Sequence, residues 1–362
     1  MMSNIIFYAP TGKGLPAHML GGGERGCRRT KEILETNGYS VYTVEKPNNS
    51  EGLFKYGLNA LKAIVEYVAL LIKKDKALVY TVGFYEKNLP LEYVVLKIAK
   101  IFGRTTVYEA RNGRLVGAYN EGGKLYKKLM EATLKMADTV FAQGAEYLPL
   151  IHSVTGKEGV YTPNYVLNKN TVSEIAPRPT EQLNLIYFGR VSKSKNIDVV
   201  IKVHQHLRLQ GYPVHTSIIG GISPEYQDEL NSLLCETDKG EITFWGAQEF
   251  PVIAQELNKA HFFVFPSSEK MEGHSNSLTE AMTYGVVPIV STAGFNASIV
   301  ENRDLVVEDL EPVKYADIIC RIVENKQWKE YSSYVFERIK NNYTEDIVRN
   351  RILNAIERCI KG

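Results

Sequence analysis

The chain lacks the marks of several large protein classes. Its four cysteines, Cys27, Cys235, Cys320 and Cys359, are scattered, with no C-x-x-C pair and no metal-like spacing. That pattern argues against a disulfide framework or a structural zinc site and leaves reduced thiols of a cytosolic protein as the expectation. No Asp-x-Asp pair occurs, so nothing in the sequence requires a divalent metal. No apolar run is long enough to cross a bilayer. The most apolar helix candidate, Leu58 to Ile72, contains Lys62 and Glu66 and is too short and too charged to span. Met1 to Asn4 leads straight into a short strand without a basic start or an apolar leader, so no secretory signal is expected. Internal repeats and low-complexity segments are absent. The basic residues are not interleaved with aromatics in any recognised motif, which argues against a nucleic-acid binder.

What is present is an ordinary globular composition, 44% apolar and 23% charged over 362 residues. That length exceeds one ordinary core and implies two domains. The net charge of +2 hides an asymmetry. Residues 1–165 hold 22 Lys and Arg against 15 Asp and Glu, net +7, leaving 21 against 26, net −5, for the rest. A basic first half suits an anionic membrane surface or an anionic acceptor, and equally an ordinary solvated face. The runs at Lys73 to Lys76 and Lys124 to Lys135 are the expected membrane-facing elements.

Strands are expected at 4–8, 40–44, 77–82, 105–108 and 139–142, with helices at 24–37, 53–74, 90–102 and 124–137 between them. This alternation predicts a parallel sheet covered on both faces. Residues 166–182 are polar, carry two prolines and read as an interdomain linker. The pattern then restarts at Leu183. The N-terminal domain is therefore placed at 1–165 and the second at 183–343, followed by a helix at about 344–362.

The sequence is organised around Glu272 to Pro288, EGHSNSLTEAMTYGVVP. An apolar strand, 261–266, precedes it, and a helix starting near Asn276 as N-cap is expected within it. Glu272 then sits on the loop at the strand's carboxyl end, where open parallel sheets bind ligands, and Glu280 lies one turn inside the helix. Free helix N–H groups suit an anionic or polyhydroxyl ligand, and carboxylates accept from sugar hydroxyls. A second anion site is read at Gly189-Arg190-Val-Ser-Lys193-Ser-Lys195, a basic loop between a strand and a helix. A third Gly-rich loop, Gly21-Gly-Gly-Glu-Arg25, follows the first strand.

Two Glu flanking seven residues, followed by Ala-Met and Gly-x-x-Pro, with Gly-Arg, four residues and Lys upstream, resembles the retaining GT-B glycosyltransferases of family 4. The EGHSNSLTEAM form is similar to members that build bacterial cell-surface polysaccharides. The resemblance implies an α/β GT-B fold of two Rossmann-like, doubly wound domains facing across a cleft, with the last helix packed back on the first domain. It implies transfer of a sugar from a nucleotide-sugar donor, UDP-linked first, to a glycan or lipid-linked acceptor, with no resident cofactor or metal, in the cytoplasm or at the inner face of the cell membrane. Arg190 and Lys195 would take the diphosphate, Glu272 the donor sugar and Glu280 the ribose. Gly22, Gly23, Gly189, Gly220, Gly246, Gly273, His274, Ser275, Asn276, Ser277 and Leu278 would line the donor site. Many members carry His or Asp at the acceptor side, where this chain has Glu109 and Arg111. His18 is the third acceptor-side candidate. Gly294 alone fits a family Gly-Gly position at 291–296 and receives no role. Another GT-B sugar-nucleotide enzyme, such as a 2-epimerase or an inverting transferase, and a non-catalytic protein derived from this fold are the alternatives.

Overall fold

The computed structural model describes residues 4–15, 21–47, 52–269 and 271–361. His18 lies outside them. The chain divides into two compact units, Met1–Asn164 with Val348–Gly362, and Tyr165–Ile347.

Unit 1 alternates strands and helices: β1 (Asn4–Ala9), α1 (Gly22–Thr36), β2 (Ser40–Glu45), α2 (Leu53–Lys73), β3 (Leu78–Gly83), α3 (Leu89–Ile101), β4 (Thr106–Ala110), α4 (Leu115–Glu121), α5 (Lys124–Met136), β5 (Thr139–Ala142), α6 (Leu148–Thr155) and β6 (Val160–Tyr161). All strand pairs are parallel, in the order β2-β1-β3-β4-β5-β6. Every residue of β3 and β4 is buried, as expected of central parallel strands covered on both faces. Tyr67 and Leu71 of α2 pack with Val95 and Ala99 of α3 over this sheet. The helices α4 and α6 escape the sequence reading because they are short, and α4 carries an internal Gly117.

Unit 2 repeats the plan: β7 (Leu183–Phe188), α7 (Ile197–Leu209), β8 (Val214–Ile219), α8 (Pro224–Asn231), β9 (Ile242–Gly246), α9 (Phe250–Leu257), β10 (Phe262–Phe265), α10 (Asn276–Thr283), β11 (Val287–Ser291), α11 (Asn296–Val300), β12 (Val306–Val307), α12 (Pro312–Glu324) and α13 (Trp328–Asn342). Its parallel order is β9-β8-β7-β10-β11-β12. The sheet reverses direction of growth between β7 and β10, and the carboxyl ends beside such a point are where open parallel sheets bind ligands. Residues 165–182 belong to unit 2. Arg178 holds them there by donating to the carbonyls of Ala260, Asn258 and Tyr284. The last helix, α14 (Glu345–Lys361), starts at the end of unit 2, and from Val348 onward it belongs to unit 1, where Cys359 Sγ lies 3.0 Å from Thr139 Oγ1. Among the described residues no helix is long and apolar enough to cross a membrane.

Candidate active site

The carboxyl edge of the second sheet is built from backbone first. Gly189, Gly220 and Gly246 follow β7, β8 and close β9. Gly189 N donates to Ile219 O at 3.0 Å, and Gly220 N to Gly246 O at 2.8 Å. Gly220 is fixed by a close approach, because a Cβ there would come within 1.7 Å of the Gly189 carbonyl oxygen. Three side-chain-free positions thus line up along this edge as a glycine shelf, joined by backbone hydrogen bonds. A cavity of about 560 Å³ adjoins it, lined by Arg190, Lys193, Gly221 and Tyr226 among others.

The loops after β7 and β10 are stitched together over the reversal point. Ser268 N donates to Ser194 O at 2.8 Å, and Asn196 Nδ2 donates to Pro266 O at 2.7 Å and Ser268 Oγ at 2.9 Å. Within this seam Lys195, at the end of a short 3-10 turn, is 7% exposed. Its ammonium is ion-paired to Glu272, lies 3.1 Å from Glu269 Oε2, and reaches Ser267 Oγ at 3.5 Å. Ser267 Oγ donates to Glu272 Oε2 at 2.6 Å. Arg190 stands outside this cluster. Its side chain is 69% exposed, and it meets Glu269 at 3.5 Å. The sequence pairs Arg190 with Lys195 as two equivalent cations. In the structure one is buried and neutralised and the other is open.

The sequence pattern assigns no role to Glu269, Ser267 or Gly294, and all three shape the site. Glu269 bridges Arg190 and Lys195. Its signal was weak, a lone acid three residues before Glu272 on an irregular loop. Gly294 sits at φ +56°, and a Cβ on it would come within 2.1 Å of the Glu272 carbonyl oxygen. Gly294→Ala should therefore push the Glu272 loop outward and lose at least about 1–2 kcal/mol in a denaturant melt, the cost of left-handed backbone on a residue with Cβ. An unchanged melt would mean that the loop yields freely.

The loop from Glu272 into α10 differs in detail from expectation. Ser275, not Asn276, is the N-cap of α10, with its Oγ accepting from Leu278 N; Asn276 is the first helical residue. Ser277 Oγ lies toward the shelf, 3.8 Å from where a Gly189 Cβ would stand. Gly273 leads into this cap, and Leu278 is fully buried beneath it. Glu280 is on the second turn of α10, half-buried. His274 points into the unit, 3% exposed, with its ring 5.0 Å from that of Tyr343. Burial, with Arg338 nearby, pushes its imidazole down to about 3, so it is neutral and has the character of a packing residue.

In unit 1 the reversal point lies between β1 and β3. Gly22 and Gly23 are the first two residues of α1, and a Cβ on Gly23 would stand 3.2 Å from the Phe84 ring that follows β3. Glu109 and Arg111 come together, but below the surface. They pair at 2.8 Å, 1% and 5% exposed. Tyr80 donates to Glu109 at 2.8 Å, and Arg111 donates to Thr30 Oγ1 of α1 at 2.8 Å. A Cβ on Gly26 would overlap Arg111 at 1.9 Å. The pair therefore seats α1 on the sheet. Their mutual ion pair, with Tyr80 and Thr30 as further partners, offsets the burial of two ions in the core. Among the described residues no group of three or more His, Cys, Asp or Glu is placed to hold a metal ion.

Two six-stranded parallel sheets flanked by helices form the GT-B fold of glycosyltransferases. Residues 182–325 match the family model of the group 1 glycosyl transferases. No curated protein sequence matches the chain. Solved structures match it over nearly its whole length. A glycosyltransferase from Rickettsia africae superposes with a TM-score of 0.76 at 16% identity, covering 100% of this chain and 99% of that one. Sucrose-phosphate synthase from Thermosynechococcus elongatus gives 0.72 at 18% identity, covering 98% of each. Anabaena HepE in complex with UDP gives 0.70 at 15% identity, covering 98% of this chain and 100% of that one. The chain as a whole thus has the GT-B fold, and its match to the group 1 glycosyl transferases lies within the second unit.

Proposed function

We propose that the chain is a retaining glycosyltransferase of the family 4 type that moves a hexose from a nucleotide-diphosphate sugar, UDP-linked first, to a glycan or lipid-linked glycan in surface-polysaccharide synthesis. The observation that carries this reading is the carboxyl edge of unit 2, where a glycine shelf, the open cation Arg190 and the anchored carboxylate Glu272 lie around one reversal point. The UDP and UDP-glucose complexes of HepE support a nucleotide-sugar as donor.

A nucleotide-sugar is already activated, so the main chemical task is to stabilise charge on the departing diphosphate. Arg190 supplies that cation, with free N–H groups of α10 and of the 3-10 turn at Lys193–Lys195 beside it. Glu272 accepts from hydroxyls of the donor sugar, held in place by Lys195 and Ser267. Glu280 takes the ribose. The anomeric C–O bond to the diphosphate breaks as the acceptor oxygen adds on the same face, and the departing phosphate oxygen takes the acceptor's proton. The donor is a substrate, and no resident cofactor or metal takes part. Glu109 and Arg111 act by positioning α1 rather than by touching the acceptor.

The test is a thermal-shift panel of UDP, GDP, ADP, CMP and their common sugars in the presence of EDTA, since a ligand of the folded state raises the melting temperature by mass action. One diphosphonucleotide should shift wild type selectively, and Arg190→Ala should lose that shift. No shift with any of them would remove the donor assignment. Conversion of a bound sugar nucleotide to its 2-epimer without acceptor would replace transfer by epimerisation.

A further inference from the structure

The helix α2 carries apolar side chains on two opposite faces. Ala63, Tyr67 and Leu71 pack into the core of unit 1. Phe54, Leu58, Leu61, Val65 and Ile72 are 82%, 54%, 64%, 62% and 68% exposed. At 100° per residue these five fall within about 60° of one line, opposite the core face, and the stripe runs about 27 Å along the helix. Single exposed apolar residues are ordinary, whereas a continuous stripe marks a docking surface. Lysines border it. Lys55, Lys62 and Lys73 are spaced seven and eleven residues apart, whole numbers of turns, so they lie along one flank together with Glu66. Lys74 and Lys76 follow at the end of the helix.

The charge around the stripe selects its occupant. Residues 53–76 hold five lysines against Glu66 and Asp75, and Asp75 is paired with Arg104 at 2.9 Å. Unit 1 as a whole, residues 1–164 with 348–362, holds 26 Lys and Arg against 16 Asp and Glu, net +10. A second copy would bring the same positive charge to the same face, and the two would repel. An anionic lipid surface fits both parts, apolar side chains below the headgroups and lysines among them. The helix is not a span.

We propose that α2 lies in the plane of an anionic bilayer and docks unit 1 on it through Phe54, Leu58, Leu61, Val65 and Ile72, with the lysine flank on lipid phosphates. This goes beyond the basic runs read in the sequence, because the apolar element is the outward face of α2. The α5 run at Lys124 to Lys135 offers one highly exposed apolar residue, Leu125. The surface stands independently of the donor chemistry in unit 2, and it would bring an enzyme of this kind to an acceptor anchored in lipid.

Flotation of the full chain with vesicles tests it. Wild type should float with phosphatidylcholine–phosphatidylglycerol vesicles and stay behind with phosphatidylcholine alone. Phe54→Ser with Leu61→Ser and Val65→Ser should abolish flotation while leaving the melting temperature and nucleotide shifts intact, since all three side chains face outward. Lys55→Gln with Lys62→Gln and Lys73→Gln should weaken partitioning about 100-fold, from the contribution of each lysine near a charged surface. Equal recovery of wild type with both vesicles, flotation of the serine variant, or a wild-type dimer in sedimentation that the serine variant dissociates would each overturn the proposal. Because flotation requires no turnover, a failed donor assignment would leave its result readable.

Discussion

Lys195→Ala is expected to destabilise unit 2 by about 3–5 kcal/mol and to abolish transfer, whereas Arg190→Ala should abolish most transfer and leave stability within about 1 kcal/mol. The difference follows from burial. The Lys195 ammonium has three N–H donors. Glu272, Glu269 and Ser267 stand around it at the end of a seam that water hardly reaches. Its removal leaves Glu272, 9% exposed, with Ser267 and with the like charge of Glu269 for company. An uncompensated buried carboxylate carries a penalty of that size. Arg190 is mostly solvated, and its 3.5 Å contact with Glu269 contributes little to folding. Its loss should instead lower turnover by about two to three orders of magnitude, the usual scale for one preorganised charge on a leaving group. Chemical denaturation and initial rates on the same protein separate the two effects. The double variant Lys195→Ala with Glu272→Gln should recover much of the stability and none of the turnover. A Lys195→Ala protein as stable as wild type would show that the ammonium is not the anchor of Glu272 and is free to meet the diphosphate itself.

How far the sequence reaches can be seen in these same residues. The strands, the longer helices and their parallel alternation were legible because apolar runs and helical periods are local signals. The Glu272–Glu280 spacing was legible for the same reason. What was not legible is pairwise. Arg190 and Lys195 read as alike, because nothing in Gly-Arg-x-x-x-x-Lys tells which cation faces Glu269 and Glu272 across the gap between β7 and β10. Glu109 and Arg111 read as rim charges since they end a strand, and only the packing of α1 over them shows that they are buried. Gly294 received no role because the atom it accommodates, the Glu272 carbonyl oxygen, is remote in sequence. The α2 stripe was hidden by an ambiguity of composition. A helix apolar on both faces reads as a buried one until exposure separates the faces.

Mild acid should unfold unit 2 selectively. Four imidazoles, all in that unit, are pushed below their ordinary value by burial, His204, His261 and His274 strongly and the half-buried His215 in the same direction. His274 is pushed down to about 3, and His204 and His261 each to about 4, from an ordinary value of 6.5. Geometry agrees at His261, whose Nδ1 accepts from Asn184 N at 3.1 Å and must be unprotonated to do so. His204 is fully buried, with Nδ1 2.9 Å from Thr216 Oγ1. In the unfolded chain each would bind a proton near its ordinary value, so between about pH 4 and 6.5 the unfolded state holds more protons. Stability is therefore level above about pH 7 and falls as pH drops through 6.5 toward the folded values. At pH 5 each of the three strongly shifted histidines loses about 2 kcal/mol, and allowing for local relaxation the three together cost about 3–6 kcal/mol. That is a large share of the roughly 5–15 kcal/mol that stabilises an ordinary domain. Both tryptophans, Trp245 and Trp328, lie in unit 2, so intrinsic fluorescence reports its unfolding and not that of unit 1. Its melting temperature should drop steadily from pH 7 to pH 5. In His274→Phe, which keeps a ring against Tyr343 and removes one titrating site, the slope should be about one-quarter to one-third shallower. A fluorescence melt independent of pH across that window would mean that the three rings reach water, and a proton, without unfolding the unit.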